Sequence, residues 1–250
     1  MSASEGTTEA QDFIGYWESE GAAYARRGDY AWMADRLSGL GTGTGETKRV
    51  LEIGCGVGFG TEALLSAGHS VLAVDILPAC LTVAEARAKA LGLFSERATF
   101  QLLDVEHVSE ETRASLEAFA PNAVVCWLMG APQDMTGASE GDAGRAVAQY
   151  RERLHRVVAS LSASLASVRL LHLVDRTVIP WQAKDLARDT LVRYHLSKTT
   201  LDLPWQAVRA DALYRKMAVP DVDLGALRQR HAALKSATPA LASLCLRRTS

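Results

Sequence analysis

Residues 50–61 read VLEIGCGVGFGT, and the fold turns on how that stretch is read. Val50, Leu51 and Ile53 suit a buried strand. Gly54, Gly56, Gly58 and Gly60 then alternate with single residues, so the chain turns where side chains are kept out. Glycine reaches positive φ at little cost and lets another group approach the backbone. In sheets of parallel strands, ligands sit beyond the carboxyl ends of the strands, and the glycine run lies at such an end. A second strand, SVLAVD (70–75), ends on Asp75, 21 residues after Gly54. That is near the roughly 20-residue spacing at which a carboxylate takes ribose hydroxyls. The order turn, helix, strand-end acid argues for an adenosine-bearing ligand over a plain Gly-rich turn.

The same alternation runs outward from this point. RVLEIG is followed by a helix near 60–67, then by the strand 70–75. PACLTVAEARAKALGL (78–93) puts Leu81, Ala84, Ala88 and Leu91 on one helical face, with Pro78 in the first turn. Further strands are expected at 98–104, 122–129 and 168–175, with helices at 109–119 and 143–165. Apolar strands alternating with helices predict an α/β, doubly wound, mostly parallel seven-stranded sheet with helices on both faces. Residues 1–11 read as a disordered tail. Residues 12–47 read as an N-terminal helical cover, broken near RRGD, with a Gly-rich loop. Residues 48–250 read as the Rossmann-like domain, with an insertion after strand five at about 176–205. Beyond it, helices surround a possible strand at 207–214, and LASLCLRR (241–248) suits a closing edge strand.

Composition narrows the function. The formal net charge of −2 builds no field for nucleic acid or an anionic membrane. The four cysteines, Cys55, Cys80, Cys126 and Cys245, form no CxxC pair, which fits buried thiols in a reducing compartment. The polar, acidic MSASEGTTEAQD does not suit a signal peptide, and no apolar stretch approaches the roughly 18–20 residues that span a bilayer. A cytoplasmic protein, monomeric or homodimeric, with no nucleic-acid or membrane partner is the expectation. No His/Cys/Asp cluster has metal spacing, so no metal is expected.

The cofactor can be narrowed. The dinucleotide fingerprint GxGxxG wants its third glycine where this chain has Phe59. Glu52, just before the turn, is a poor neighbour for a pyrophosphate and a good one for a cation. LEIGCGVGFGT resembles the first motif of the class I S-adenosylmethionine-dependent methyltransferases, (D/E)xGxGxG. VLAVDILP resembles their second motif and FQLLDVEH their third, over about residues 48–129.

The resemblance implies S-adenosyl-L-methionine as cofactor and a set of roles. Gly54, Gly56 and Gly58, with Cys55 among them, would let the methionine and ribose pass the backbone. Glu52 would meet the amino-acid end, Asp75 the ribose hydroxyls, and Ile76 the adenine face. Asp104 would accept the adenine amino proton, with Val105 beside the ring. Trp127 would stand near the methionine part or the acceptor.

A sulfonium already activates its methyl group, so no nucleophile motif is required, and the protein must place the acceptor and exclude water. Candidate acceptor-pocket residues are Tyr16, Trp17, Tyr24, Tyr30, Trp127, Met129, Trp181 and Tyr194. Candidate bases are His107, His172, Asp175 and His195. The place where base- and glutamine-methylating relatives carry Asn/Asp-Pro-Pro-Tyr/Phe here reads CWLMGAPQD. This argues against those substrates, and the apolar, aromatic-rich cover suggests O- or N-methylation of a small molecule in a biosynthetic pathway. A peptide or protein acceptor, suggested by Glu140 and Asp142, an inactive cofactor-binding subunit and a dinucleotide oxidoreductase remain as alternatives.

Overall fold

The computed structural model describes residues 3–40, 47–92, 97–130, 143–218 and 237–249, with backbone alone for 3–10 and 143–145. Strands β1 (Arg49–Ile53), β2 (Ser70–Asp75), β3 (Ala98–Leu102), β4 (Ala123–Trp127), β5 (Leu170–Pro180), β6 (Trp205–Gln206), β7 (Ala212–Lys216) and β8 (Ala237–Arg248) form one sheet. Its order is β3-β2-β1-β4-β5-β8-β6, with β7 also paired to β8. The pairs from β3 to β5 are parallel, and β8 runs antiparallel to β5, β6 and β7. The doubly wound, mostly parallel α/β sheet is therefore as expected, but among the described residues it has eight strands rather than seven.

Helices α1 (Ala3–Arg26), α2 (Asp29–Ser38), α3 (Phe59–Ser66) and α4 (Pro78–Ala90) supply one face. Helices α5 (Glu110–Phe119), α6 (Ala143–Ser164) and α7 (Lys184–Tyr194) supply the other. Local chemistry sets several boundaries. Pro78 opens α4, and Ser109 caps α5 by accepting the Thr112 N–H at 3.1 Å. Gly28, at φ +71°, breaks α1 from α2 within the RRGD sequence.

Four expectations need correction. Helix α1 begins at Ala3, inside the stretch read as a disordered tail. The C-terminal strand is no edge: β8 sits between β5 and the β6/β7 pair, so its middle is buried from both sides. Eleven register pairs with β8, from Leu170↔Arg247 to Pro180↔Ala237, carry β5 past Asp175 into the segment read as an insertion. The strand expected at 207–214 resolves into the short β6, a 3-10 turn (Arg209–Asp211) and β7. Residues 41–46 of the Gly-rich loop lie outside the described residues, as do 219–236 and most of 126–142, whose Gly-rich composition suits a lid.

The N-terminal cover is part of the core. Tyr24, Met33, Ala34 and Leu37 are almost wholly buried against the sheet face that also holds Leu64, Leu65, Val71 and Ala84. Arg215 of β7 locks the break between α1 and α2, bonding the buried Asp29 carboxylate at 2.9 Å and the Arg27 carbonyl at 3.0 Å.

Candidate active site

A solvent-open cleft lies over the carboxyl ends of β1, β2 and β4. All ten expected cofactor residues line it: Glu52, Gly54, Cys55, Gly56, Gly58, Asp75, Ile76, Asp104, Val105 and Trp127. The glycines do different work. At Gly56, φ is +52° and an added Cβ meets nothing within 4 Å, so the missing side chain leaves room in the cleft. At Gly58, φ is +88° and a Cβ would come within 2.7 Å of the Ala84 backbone, so this glycine lets α4 pack on the turn.

The acids of the cleft are held by the chain itself. Asp75 accepts the Gly56 N–H at 2.8 Å and the Leu77 N–H at 2.9 Å, which ties the glycine turn to β2. Burial raises its pKa, with those N–H bonds opposing. Glu52 is buried and accepts the Thr61 hydroxyl at 2.5 Å. Burial pushes its pKa up to about 8, against the Thr61 bond, and the nearby Asp75 adds to the rise. A group with that preference for neutrality gains a strong partner when a cation arrives. Asp104 accepts the Glu106 N–H at 2.9 Å and pairs with His107 Nδ1 at 2.8 Å. Its partial burial works upward, but those two bonds outweigh it and hold the carboxyl below its usual range. Ile76 stays 40% exposed in the cleft wall, an apolar surface free for a flat ring.

Of the expected acceptor-pocket residues, Trp17, Tyr30, Trp127 and Met129 line the cleft. Tyr16, Tyr24, Trp181 and Tyr194 do not. Tyr24 is core, edge-on to Tyr30, and Tyr16 accepts from Arg176 at 3.2 Å on the outer side of α1. Lys216 stands over the Trp181 ring at 4.7 Å, and the Tyr194 hydroxyl donates to Glu152 at 2.9 Å. Phe13 and, from α6, Tyr150, Arg153 and Leu154 complete the cleft. The sequence reading missed these four; Tyr150 and Leu154 are one helical turn apart, and that spacing was their only signal.

No candidate base sits in the cleft. His107 is on the surface, and Asp104 raises its pKa through their hydrogen bond. His172 is wholly buried and kept neutral by that burial, its pKa lowered to about 3. Its Nδ1 accepts the Trp127 indole N–H at 3.2 Å, so Nε2 carries the hydrogen toward Ser243 Oγ at 2.8 Å. Ser243 Oγ in turn accepts from Arg36 of α2 at 2.7 Å. His172 thus fixes the ring plane of a cleft residue and has no free nitrogen for an acceptor. His195, buried with its pKa likewise lowered to about 3, lies with Asp175 on the α6 side, beside His155. Among the described residues no three His, Cys, Asp or Glu side chains are placed to hold a metal ion, and no helix is long and apolar enough to cross a membrane.

The cleft fits an adenosyl amino acid: an acid at the end of β2, an apolar face at Ile76, open space over Gly56 and a buried carboxyl at Glu52. Residues 50–133 match the family model of a methyltransferase domain. No curated protein matches the sequence. Among solved structures, the chain is similar to a putative sarcosine dimethylglycine methyltransferase from Galdieria sulphuraria, at 13% identity over 88% of this chain and 84% of that one, with a TM-score of 0.53. It is also similar to MccD protein, at 10% identity over 87% and 97% of the two chains, with a TM-score of 0.51. At those identities the likeness is one of fold. Motifs, cleft and the family match over residues 50–133 together identify a methyltransferase domain in that part of the chain, with S-adenosylmethionine as its cofactor, on a fold like that of the class I, Rossmann-like enzymes.

Proposed function

We propose that the protein methylates an oxygen or nitrogen of a small-molecule acceptor, in the cytoplasm and within a biosynthetic pathway. The observation that supports this reading is the lining of the cleft. Phe13 and Trp17 of α1, Tyr30 of α2, Met129, and Tyr150 and Leu154 of α6 all line the cleft, giving the solvent-open site an apolar, aromatic-rich chamber wall. A chamber of that kind suits a compact acceptor and sheds water.

In this reading Asp75 accepts the ribose hydroxyls, Glu52 receives the ammonium, and Ile76 and Val105 flank the adenine while Asp104 takes its amino proton. Trp127, held by His172, forms the wall beside the methionine end. Bound S-adenosylmethionine supplies a methyl group already activated by its sulfonium. The chain's own task is then to orient the acceptor and keep the chamber dry. The peptide alternative leaned on Glu140 and Asp142, which lie outside the described residues. Incubating the full chain with labelled cofactor and a fractionated metabolite extract tests the proposal. Label in a small organic fraction supports it, and label only in added peptides or proteins contradicts it.

A further inference from the structure

Trp127, a wall of the cleft at the carboxyl end of β4, stands at one end of a chain of three hydrogen bonds. Across the sheet it pairs with Val174 of β5, and Val174 pairs with Ser243 of β8. Residues directly opposite one another share a face, so Trp127 and Ser243 stand on the same side of the sheet, two strands apart. It is the side that α2 covers with Met33 and Leu37. His172, two residues before Val174, shares that face and reaches both. The Trp127 indole N–H meets its Nδ1 at 3.2 Å, and its Nε2 meets Ser243 Oγ at 2.8 Å. Arg36 of α2 donates to the same oxygen at 2.7 Å and also to the Asp211 carbonyl.

The two ends of the chain settle the direction of every bond. An indole and a guanidinium can only donate. Nδ1 must then accept, Nε2 must carry the hydrogen, and Ser243 Oγ takes an N–H from each side. His172 and Ser243 have no exposed surface, so bulk water cannot stand in for a lost partner. The row is satisfied in one arrangement: turning the indole over, or moving the hydrogen to Nδ1, leaves a buried donor without an acceptor.

Two features tie this row to the cofactor site. The Trp127 ring and the Glu52 carboxyl both lie against Gly60, where an added Cβ would stand 3.4 Å from the ring and would strike the carboxylate. Glu52 is the proposed partner of the cofactor's ammonium, so the indole plane sets one side of that place. Helix α2 carries both Arg36 and Tyr30, and Tyr30 lines the cleft directly.

We propose that Arg36, Ser243 and His172 are positioning residues for S-adenosylmethionine: they hold the Trp127 indole in one plane against the cofactor and tie that plane to the seating of α2. None of the three lines the cleft, so each acts through Trp127. The proposal rests on the cofactor reading and extends it to residues outside the site.

The test joins NMR to titration on the full chain. Labelling with 15N-tryptophan gives five indole signals, and Trp127→Phe identifies the relevant one. In the parent the Trp127 N–H should exchange with water far more slowly than an exposed indole. His172→Phe, Ser243→Ala and Arg36→Met should shift it and speed its exchange, in decreasing order. S-adenosylmethionine affinity should fall in the same order, about tenfold for His172→Phe and about threefold for Ser243→Ala. In a Trp127→Phe background the same substitutions should cost no further affinity, because the group through which they act is gone. Losses that persist undiminished in that background reveal a role in stability alone and overturn the proposal. So does a Trp127 signal, or an affinity, that His172→Phe and Ser243→Ala leave as in the parent. Should His172→Phe fail to fold, Ser243→Ala and its cycle with Trp127→Phe decide. A parent chain that does not bind S-adenosylmethionine removes the cofactor reading and the proposal together, whereas a parent that binds it no better than the variants removes the proposal alone.

Discussion

The half of the sheet from β3 to β4 and the half from β5 to β8 handle polar groups in opposite ways. On the first, each acid of the cleft already has partners from its own chain: Asp75 from Gly56 and Leu77, Glu52 from Thr61, Asp104 from Glu106 and His107. On the second, Asp175 of β5 and His155 of α6 keep atoms unbonded, and so do Arg151 of α6 and Arg188 of α7. A site for one fixed ligand can be pre-organised by short-range contacts within a single βα turn.

The largest expected effect tests whether the N-terminal cover belongs to the first half or only visits it. Deleting residues 1–36 would strip Tyr24, Met33 and Ala34 from the core, at about 1.5–3 kcal/mol for each large side chain. The truncated chain is expected to aggregate. A soluble truncation with a near-parental melting temperature and poor methyl transfer would instead make α1 and α2 a separable lid.

The glycine turn offers the next contrast. Gly58→Val meets the Ala84 backbone and a left-handed φ, at about 2–5 kcal/mol of stability. Gly56→Val meets only the φ penalty, roughly 1–2 kcal/mol, yet puts its side chain where the ligand passes. Thermal melts should rank Gly58→Val well below Gly56→Val, while titration shows both binding S-adenosylmethionine poorly. Equal melting temperatures would mean that the two glycines share one role.

How much of this was legible follows from sequence distance. The glycine turn, Asp75 and Asp104 announce themselves because their spacing is local, and all of them line the cleft. Trp17 and Tyr30 were visible as aromatic density, but nothing in that density separates them from Tyr16 and Tyr24, which lie elsewhere. His155 gave no signal: its partner Asp175 is brought to it only by the packing of α6 on β5. The interior place of β8 was hidden for the same reason, since pairing on both sides is a long-range property. His172 looked like a candidate base because its strand position was readable and its two hydrogen-bond partners, on β4 and β8, were not.

Smaller effects sharpen the picture of the cleft. Asp75→Ala should leave the fold intact and weaken S-adenosylmethionine binding by about 1–3 kcal/mol, or roughly 5- to 150-fold, read by calorimetry. Glu52 should appear in the pH dependence of stability. Its folded pKa, about 8, lies above the ordinary carboxyl value of 4.5, so the folded chain binds the extra proton between those values. Its contribution is then fully present below pH 4.5 and is lost as pH rises through 8. Glu52→Gln lacks that titration, so its melting temperature should gain on the parent across this window. A constant difference would show that Glu52 is already ionised in the free protein.

The central claim is that the cleft over β1 and β2 is built for an adenosyl amino acid with a cationic end, and isothermal titration of the full chain addresses it most directly. S-adenosylmethionine should bind at one saturable site, with the Asp75→Ala chain weaker in parallel, and NAD should give no saturable heat. Saturable NAD binding together with silence toward S-adenosylmethionine would contradict the account.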